Sequence, residues 1–232
     1  MNESLQVISI FDSIDGEANA FHGAGQPSTF IRLAGCNIRC GYCDTEYSWG
    51  PGREMTLDEI LARPMLPHVS ITGGEPLMQK RAVEALCLEL VGRGRTVSIE
   101  TNGTVIPFGR AQHGPTVVEN VRFVADYKLT SSDIPRKLVQ EAWPAVFAFL
   151  GPQDIVKFVV ADQIDLDEAL AVRKEYWPPG QAFLPRAVYS PVADIMKPTD
   201  LVDWLLKNDP VCQMSLQIHK ILWPNCGKEE ER

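Results

Sequence analysis

The sequence predicts an α/β fold, an incomplete TIM-like barrel of parallel strands joined by crossover helices. Three observations predict it. Short β-branched or apolar runs alternate with segments of helical period, as in parallel sheets with helical connections. The chemically distinctive stretches GCNIRCGYC, TGGEP, ETNG, DYK, YSPVAD and QIHK each follow a strand-like run, and barrel-like folds carry their sites on the carboxyl rim of the strands. A count of about seven strands with few helices suits an open barrel better than a closed eightfold one.

Taken in order, Ser28–Ala34 (STFIRLA) reads as a strand, and the cysteine loop leaves its end. Thr56-Leu57-Asp58-Glu59 has capping-box form and begins a short helix. His68–Thr72 is a strand broken by GGEP. From Leu77 to Val91 apolar pairs recur at helical spacing, with Gly92 expected to end the helix. Thr96–Ile99 and Val121–Ala125 are the next strands, and a proline-interrupted helical region runs to about Leu150. Ile155–Ala161 is a strand and Leu166–Tyr176 a helix. Ala182–Tyr189 is a strand whose internal proline suits an edge or a bulge. Pro198-Thr199-Asp200 opens a helix through Lys207. Cys212–Ile218 is expected as the last strand, and by alternation Gln217 and His219 share one face. Without repeats or linkers, residues 1–232 read as one domain with a short N-terminal segment and a C-terminal extension.

The formal net charge is −8 and no basic patch exceeds the pair Lys80-Arg81, so a nucleic-acid partner is not expected. No apolar run approaches the roughly 18 residues that a membrane span needs. The N-terminus carries acidic residues early and lacks the apolar region of a signal peptide. The expected setting is the cytoplasm, where thiols stay reduced and disulfides are the weaker reading of the six cysteines. Cys87 reads as a small packed hydrophobe.

Cys36, Cys40 and Cys43 form CxxxCxxC without a fourth ligand in the same loop. Structural zinc needs four ligands, and here the fourth would be remote, from His22, His68 or another cysteine. A local disulfide would leave an odd thiol. An iron–sulfur cluster takes a thiolate on each iron, and with three thiolates a four-iron cluster keeps one iron open for a small molecule.

CxxxCxxC with Tyr42 before the last cysteine resembles the radical S-adenosylmethionine signature, and Gly73-Gly74-Glu75-Pro76 resembles the GGEP motif of that superfamily. The resemblance implies a 4Fe-4S cluster whose open iron chelates S-adenosylmethionine, and one-electron cleavage releases a 5′-deoxyadenosyl radical. IFDSIDGEA, FIRLAGCNIRCGYCDTEYSW, TGGEP, ETNGT, DYKLTSS and SLQIHK together resemble, over nearly the whole chain, the 7-carboxy-7-deazaguanine synthases. That resemblance implies a magnesium-dependent lyase converting 6-carboxy-5,6,7,8-tetrahydropterin to 7-carboxy-7-deazaguanine with loss of ammonia, on the route to queuosine and other 7-deazapurines. It also implies a homodimer and an electron donor such as flavodoxin.

Site roles follow from the same resemblance. Cys36, Cys40 and Cys43 ligate the cluster and Thr45 the magnesium, a hard cation that takes oxygen. The expected cofactor contacts are Tyr42, Cys43, Asp44, Gly74 and Glu75, then Asp126, Tyr127 and Lys128, then Ser190, Pro191, Val192 and Ala193. The expected substrate contacts are Ile14, Asp15, Gly16, Glu17, Arg32, Thr72, Glu100, Asn102, Gln217 and His219. Residue chemistry runs parallel to this. Arg32, on the strand into the cluster loop, can clamp a carboxylate bidentately, where the plain alternative is a surface ion pair. Glu17 can accept from the N–H edge of the pterin. Glu100 and Asn102 can read a heterocycle. Thr45 as a turn hydroxyl and His219 as a structural histidine are the plain readings of those two. The chain departs from the family pattern at Asp15, where glutamine is common, at Ala18, where glycine is common, in Ser190-Pro191-Val192-Ala193, and in the tail NCGKEEER. Rival functions are a glycyl-radical-enzyme activase and a non-enzymatic metal-binding module.

Overall fold

The computed structural model describes residues 3–15, 21 and 23–223; Gly16, Glu17, Ala18, His22 and Cys226 lie outside them. Seven strands run parallel, each beside the next in sequence: β2 (Gln26–Leu33), β4 (His68–Gly73), β5 (Thr96–Thr101), β6 (Val121–Tyr127), β7 (Ile155–Val160), β8 (Arg186–Pro191) and β9 (Gln213–Met214). Two further strands extend the β2 side antiparallel: β1 (Ser4–Asp15) pairs with β2, and β3 (Arg53–Thr56) pairs with β1. The order is β3-β1-β2-β4-β5-β6-β7-β8-β9, a single sheet with β3 and β9 at its two edges. This is the partial barrel that the alternating pattern predicts.

The crossovers are helical. α1 (Leu57–Leu61) opens with the predicted capping box: Glu59 N donates to Thr56 Oγ1 at 3.2 Å, and Thr56 N donates to Glu59 Oε2 at 2.8 Å. α2 (Lys80–Gly92) buries Val83, Leu86, Cys87, Leu90 and Val91 of the periodic set in the sequence, while Met78, before the helix, is exposed. Its ends differ from expectation. Pro76–Gln79 is a separate 3-10 turn, and Gly92 is the last helical residue, while Gly94, at φ +75°, turns the chain. α3 (Pro115–Asn120), α4 (Arg136–Phe147), α5 (Gln163–Tyr176) and α6 (Pro198–Asn208) follow, and α7 (Ile218–Leu222) is a last short helix.

Most strand ends fall within two residues of expectation, and two strands move further. β8 starts at Arg186 rather than Ala182, because Pro185 has no N–H to give a ladder and Phe183 adopts φ +68°. The strand expected over Cys212–Ile218 shrinks to Gln213–Met214, which pair with Val188 and Tyr189 only. The chain then turns into α7, so Gln217 precedes a helix that contains His219. Helix residues two apart do not share a face, and the expected alternation of Gln217 and His219 does not hold.

The helices cover one face of the sheet with a continuous core, from Val69, Ile71 and Ile99 through Phe123 to Phe158 and Tyr189, all 0% exposed. An aromatic stack thickens it around α4 and α5: Trp143 lies edge-on to Tyr127 at 5.0 Å, and Phe147 edge-on to Trp177 at 4.9 Å. The inner face is more polar, with the stacked Phe11–Phe30 pair toward β1 and a small separate apolar cluster of Val124, Ile155 and Val188.

Candidate active site

Period-two alternation decides what reaches the inner face. On β2 and β4, Arg32 pairs in register with Thr72, and on β5 Glu100 accepts a 2.7 Å bond from the Thr72 hydroxyl. The Arg32 guanidinium lies 5.6 Å from the Phe11 ring centroid and 5.6 Å from that of Tyr47, held between two aromatic faces. On β1, Asp15 shares this side: it is 2% exposed and accepts from Ser70 Oγ at 3.2 Å. Ile14, the neighbouring residue, points to the opposite side of β1 and offers only its backbone here.

The cluster loop leaves β2 through Gly35, at φ +86°, and is strapped down by backbone bonds. Gly35 N donates to Ser48 O at 2.7 Å, Glu75 N to Gly35 O at 2.8 Å, and Gly41 N to Ser132 O at 3.1 Å. The GGEP turn passes so close that a Cβ on Gly74 would lie 2.0 Å from Gly35 O and 3.0 Å from Cys36 Cβ. Glycine at 74 is therefore a packing requirement of the loop.

Cys36, Cys40 and Cys43 line one pocket with Thr45, Gly74, Glu100 and Asn102. Among its lining residues there is no fourth cysteine and no histidine. Each sulfur has its own surroundings. Asn102 Nδ2 approaches Cys36 Sγ at 3.7 Å, and Thr45 Oγ1 lies 3.7 Å from Cys43 Sγ. Burial pushes the Cys40 thiol up, and the Lys128 charge pulls it back down. The Thr45 side chain does not cap the 3-10 turn Glu46–Trp49; only its carbonyl is used, by Ser48 N at 2.9 Å and Ser48 Oγ at 2.7 Å. Its hydroxyl stays on the pocket side.

A second pocket adjoins the first. Tyr42, Cys43, Asp44, Ser190, Val192 and Ala193 line it, and Gln217 and Lys220 bound it from the C-terminal side. Lys220 Nζ lies 3.3 Å from Asp44 Oδ2, so an ion pair ties α7 to the cluster loop. Asp126 and Lys157 line both pockets. Asp126 is bracketed by two cations, Lys128 Nζ at 2.8 Å and Lys157 Nζ at 3.2 Å. Burial works against the Lys128 charge, but Asp126, Tyr42 and Cys40 outweigh it and raise the pKa. Burial pushes the Tyr42 phenol up to about 12, so it stays neutral.

Some expected contacts stand elsewhere. Tyr127 faces the helices and packs on Trp143 and Phe158. Glu75 is wholly buried beneath the rim, where Leu77 N, Thr101 Oγ1 and Asn102 N donate to it at 2.9, 2.9 and 2.6 Å. Burial, opposed by these bonds, raises its pKa to about 7. Asn102 is fully engaged: its Nδ2 reaches Asn37 Oδ1 at 2.9 Å as well as Cys36, and its Oδ1 accepts from Thr104 N at 3.0 Å and Thr104 Oγ1 at 2.6 Å. A substrate contact by Asn102 would need one of these bonds to open. Lys157, not among the expected contacts, has a signal in the sequence: a lone cation inside the apolar run IVKFVV.

The residues present fit a four-iron cluster with one open iron: three thiols lining one pocket, no fourth soft ligand in that lining, and an adjoining pocket of mixed polar and apolar lining for a small cofactor. Residues 30–131 match the radical SAM superfamily. The 7-carboxy-7-deazaguanine synthase of Methanospirillum hungatei JF-1 is 33% identical over 226 residues, covering 95% of this chain and 86% of that protein. The synthase of Clostridium acetobutylicum is 35% identical over 234 residues, covering 96% of this chain and 98% of that protein. The crystal structure of QueE from Escherichia coli superposes with a TM-score of 0.64 at 20% identity, covering 92% of this chain and 93% of that one, which shows the shared fold. The chain belongs to the 7-carboxy-7-deazaguanine synthase family.

Proposed function

We propose that this protein converts 6-carboxy-5,6,7,8-tetrahydropterin to 7-carboxy-7-deazaguanine with loss of ammonia. The observation that carries the reading is the three-thiol pocket opening onto the inner face that presents Arg32, Thr72 and Glu100. Cys36, Cys40 and Cys43 would hold the cluster. The pocket of Tyr42, Asp44, Ser190, Val192 and Ala193 would hold S-adenosylmethionine. When bound, this pair supplies the one-electron chemistry.

The chain's own residues bind and orient. Arg32, placed between the rings of Phe11 and Tyr47, presents its fork to the substrate carboxylate. Glu100 accepts from an N–H edge, with the Thr72 hydroxyl holding it in place. Asp15, seated on Ser70, supplies a second acceptor deeper on the same side. The Thr45 hydroxyl, beside Cys43, would supply an oxygen ligand for magnesium. Lys128 and Lys157 set a cationic edge between the two pockets, suited to the carboxylate of the cofactor. Further parts of the reading are a cytoplasmic setting, a homodimer and a flavodoxin-type electron donor.

The test is anaerobic turnover of iron-reconstituted protein with S-adenosylmethionine, magnesium, a reductant and 6-carboxytetrahydropterin, followed by mass analysis. The expected result is 7-carboxy-7-deazaguanine and ammonia in equal amounts. Cofactor cleavage with the pterin left intact would overturn the substrate assignment.

A further inference from the structure

The amide of Asn102 donates toward the sulfur of Cys36, and the way it is held points to a purpose. Its backbone N–H is fixed at 2.6 Å by the buried carboxylate of Glu75, whose own N–H is bonded to Gly35 O, one residue before Cys36. Its side-chain oxygen is pinned twice by Thr104, and its second amide hydrogen goes to Asn37 at 2.9 Å. Asn37 in turn donates to Thr104 Oγ1 at 2.8 Å. With the backbone N–H, the side-chain oxygen and one amide hydrogen committed, the remaining amide hydrogen is directed at Cys36 Sγ, 3.7 Å from Nδ2. Asn102 is 8% exposed, so water competes little for this contact.

Hydrogen bonds to cluster sulfurs stabilise the more negative, reduced state, and they are among the factors that set cluster potentials. We infer that Asn102 is a positioning residue that donates a hydrogen bond to the Cys36 thiolate and raises the reduction potential of the cluster, with Glu75 and Thr104 fixing the donor. Among the described residues, Cys36 is the thiolate with a side-chain amide donor; Cys43 lies beside a hydroxyl and Cys40 near the Lys128 charge. The inference rests on the proposed cluster ligation. It adds that the ETNG loop tunes how readily an electron is accepted.

The experiment is a potentiometric titration, followed by electron paramagnetic resonance, of reconstituted wild-type protein, Asn102→Leu and Asn102→Asp. Iron and sulfide content and a reduced-cluster signal in the wild type test the ligation separately: no cluster there sinks the underlying reading. Given a cluster, Asn102→Leu should be about tenfold harder to reduce, about 59 mV for a one-electron couple. Asn102→Asp, which loses both donors and adds a negative charge, should shift further the same way. Reduction equilibria within about twofold of wild type would overturn the inference. Should either variant fail to hold iron, wild-type protein labelled with 15N-asparagine decides: spin-echo spectra of the reduced cluster should show a weakly coupled asparagine nitrogen, and its absence overturns the inference.

Discussion

Along β6, Phe123, Ala125 and Tyr127 are buried under the helices, while Arg122 and Asp126, which alternate with them, belong to the inner side. β5 and β7 repeat the division, with Val97, Ile99, Val156 and Phe158 outward to the helices and Glu100 and Lys157 lining the pocket. The two faces of one sheet are built on opposite energetics. Each apolar side chain on the helix face contributes roughly 1.5–3 kcal/mol by leaving water. Charges on the inner face must be desolvated, and pairing such as Lys128–Asp126–Lys157 does little more than offset that cost. The helix face holds the fold together; the inner face is maintained at some expense to stability, as a reactive site is.

The largest effect that could break this contrast comes from cysteine substitutions on either side. Cys40→Ala should abolish iron retention and cleavage of S-adenosylmethionine. Cys87→Ala, buried on the helix face of α2, should keep both at nearly wild-type level. Loss of the cluster in Cys87→Ala, measured as iron per chain, would erase the distinction.

Glu75 sharpens it. Asp126 is flanked by two cations, whereas Glu75 is buried among neutral donors, and burial lifts its pKa from 4.5 to about 7. A carboxyl raised on folding stabilises the protein below its unfolded pKa, and that contribution is lost as pH rises through the folded value. Relative to Glu75→Gln, the wild type should therefore lose about 3 kcal/mol between pH 4.5 and pH 7 and above. Urea unfolding across that range would show it, and parallel stability profiles for the two proteins would contradict it.

The helix face was the more legible in sequence, because burial enforces a period. The apolar pairs from Leu77 to Val91 and the runs HVSIT and IVKFVV mark their elements without further context. β1 and β3 escaped. SLQVISIFDSID mixes hydroxyls and acids with its apolar residues and becomes a strand by pairing with β2 on one side and the more distant β3 on the other. The expected last strand was too long because a two-residue edge strand leaves little local pattern. At the site, the cysteine spacing and the GGEP, ETNG and DYK loops were readable, being tied to strand ends. Sequence could not say that Tyr127 turns away from Asp126 and Lys128, or that Asn102 spends its whole amide inside the loop, since both follow from pleat and loop geometry. Lys157 was visible as an isolated charge, but it needs the neighbouring Asp126 to acquire meaning.

A smaller effect tests the rim. Thr45→Val removes the hydroxyl beside Cys43 without disturbing the carbonyl bonds to Ser48. The magnesium concentration for half-maximal turnover should rise several-fold while iron content stays constant. An unchanged magnesium titration would reduce Thr45 to a turn residue.

The division of labour is tested most directly on one residue from each face, by measuring turnover per folded molecule and unfolding free energy on the same samples of Glu100→Gln and Tyr127→Leu. The account predicts a crossed result. Glu100→Gln, which keeps the shape and an acceptor for the Thr72 hydroxyl but removes the charge, should lose about 10- to 100-fold in kcat/KM, the scale of one charge-assisted interaction. Tyr127→Leu should keep its turnover and lose about 1–3 kcal/mol of stability, from poorer packing against Trp143 and Phe158. If both variants lose activity and stability in the same proportion, the two faces of the sheet do not divide the work.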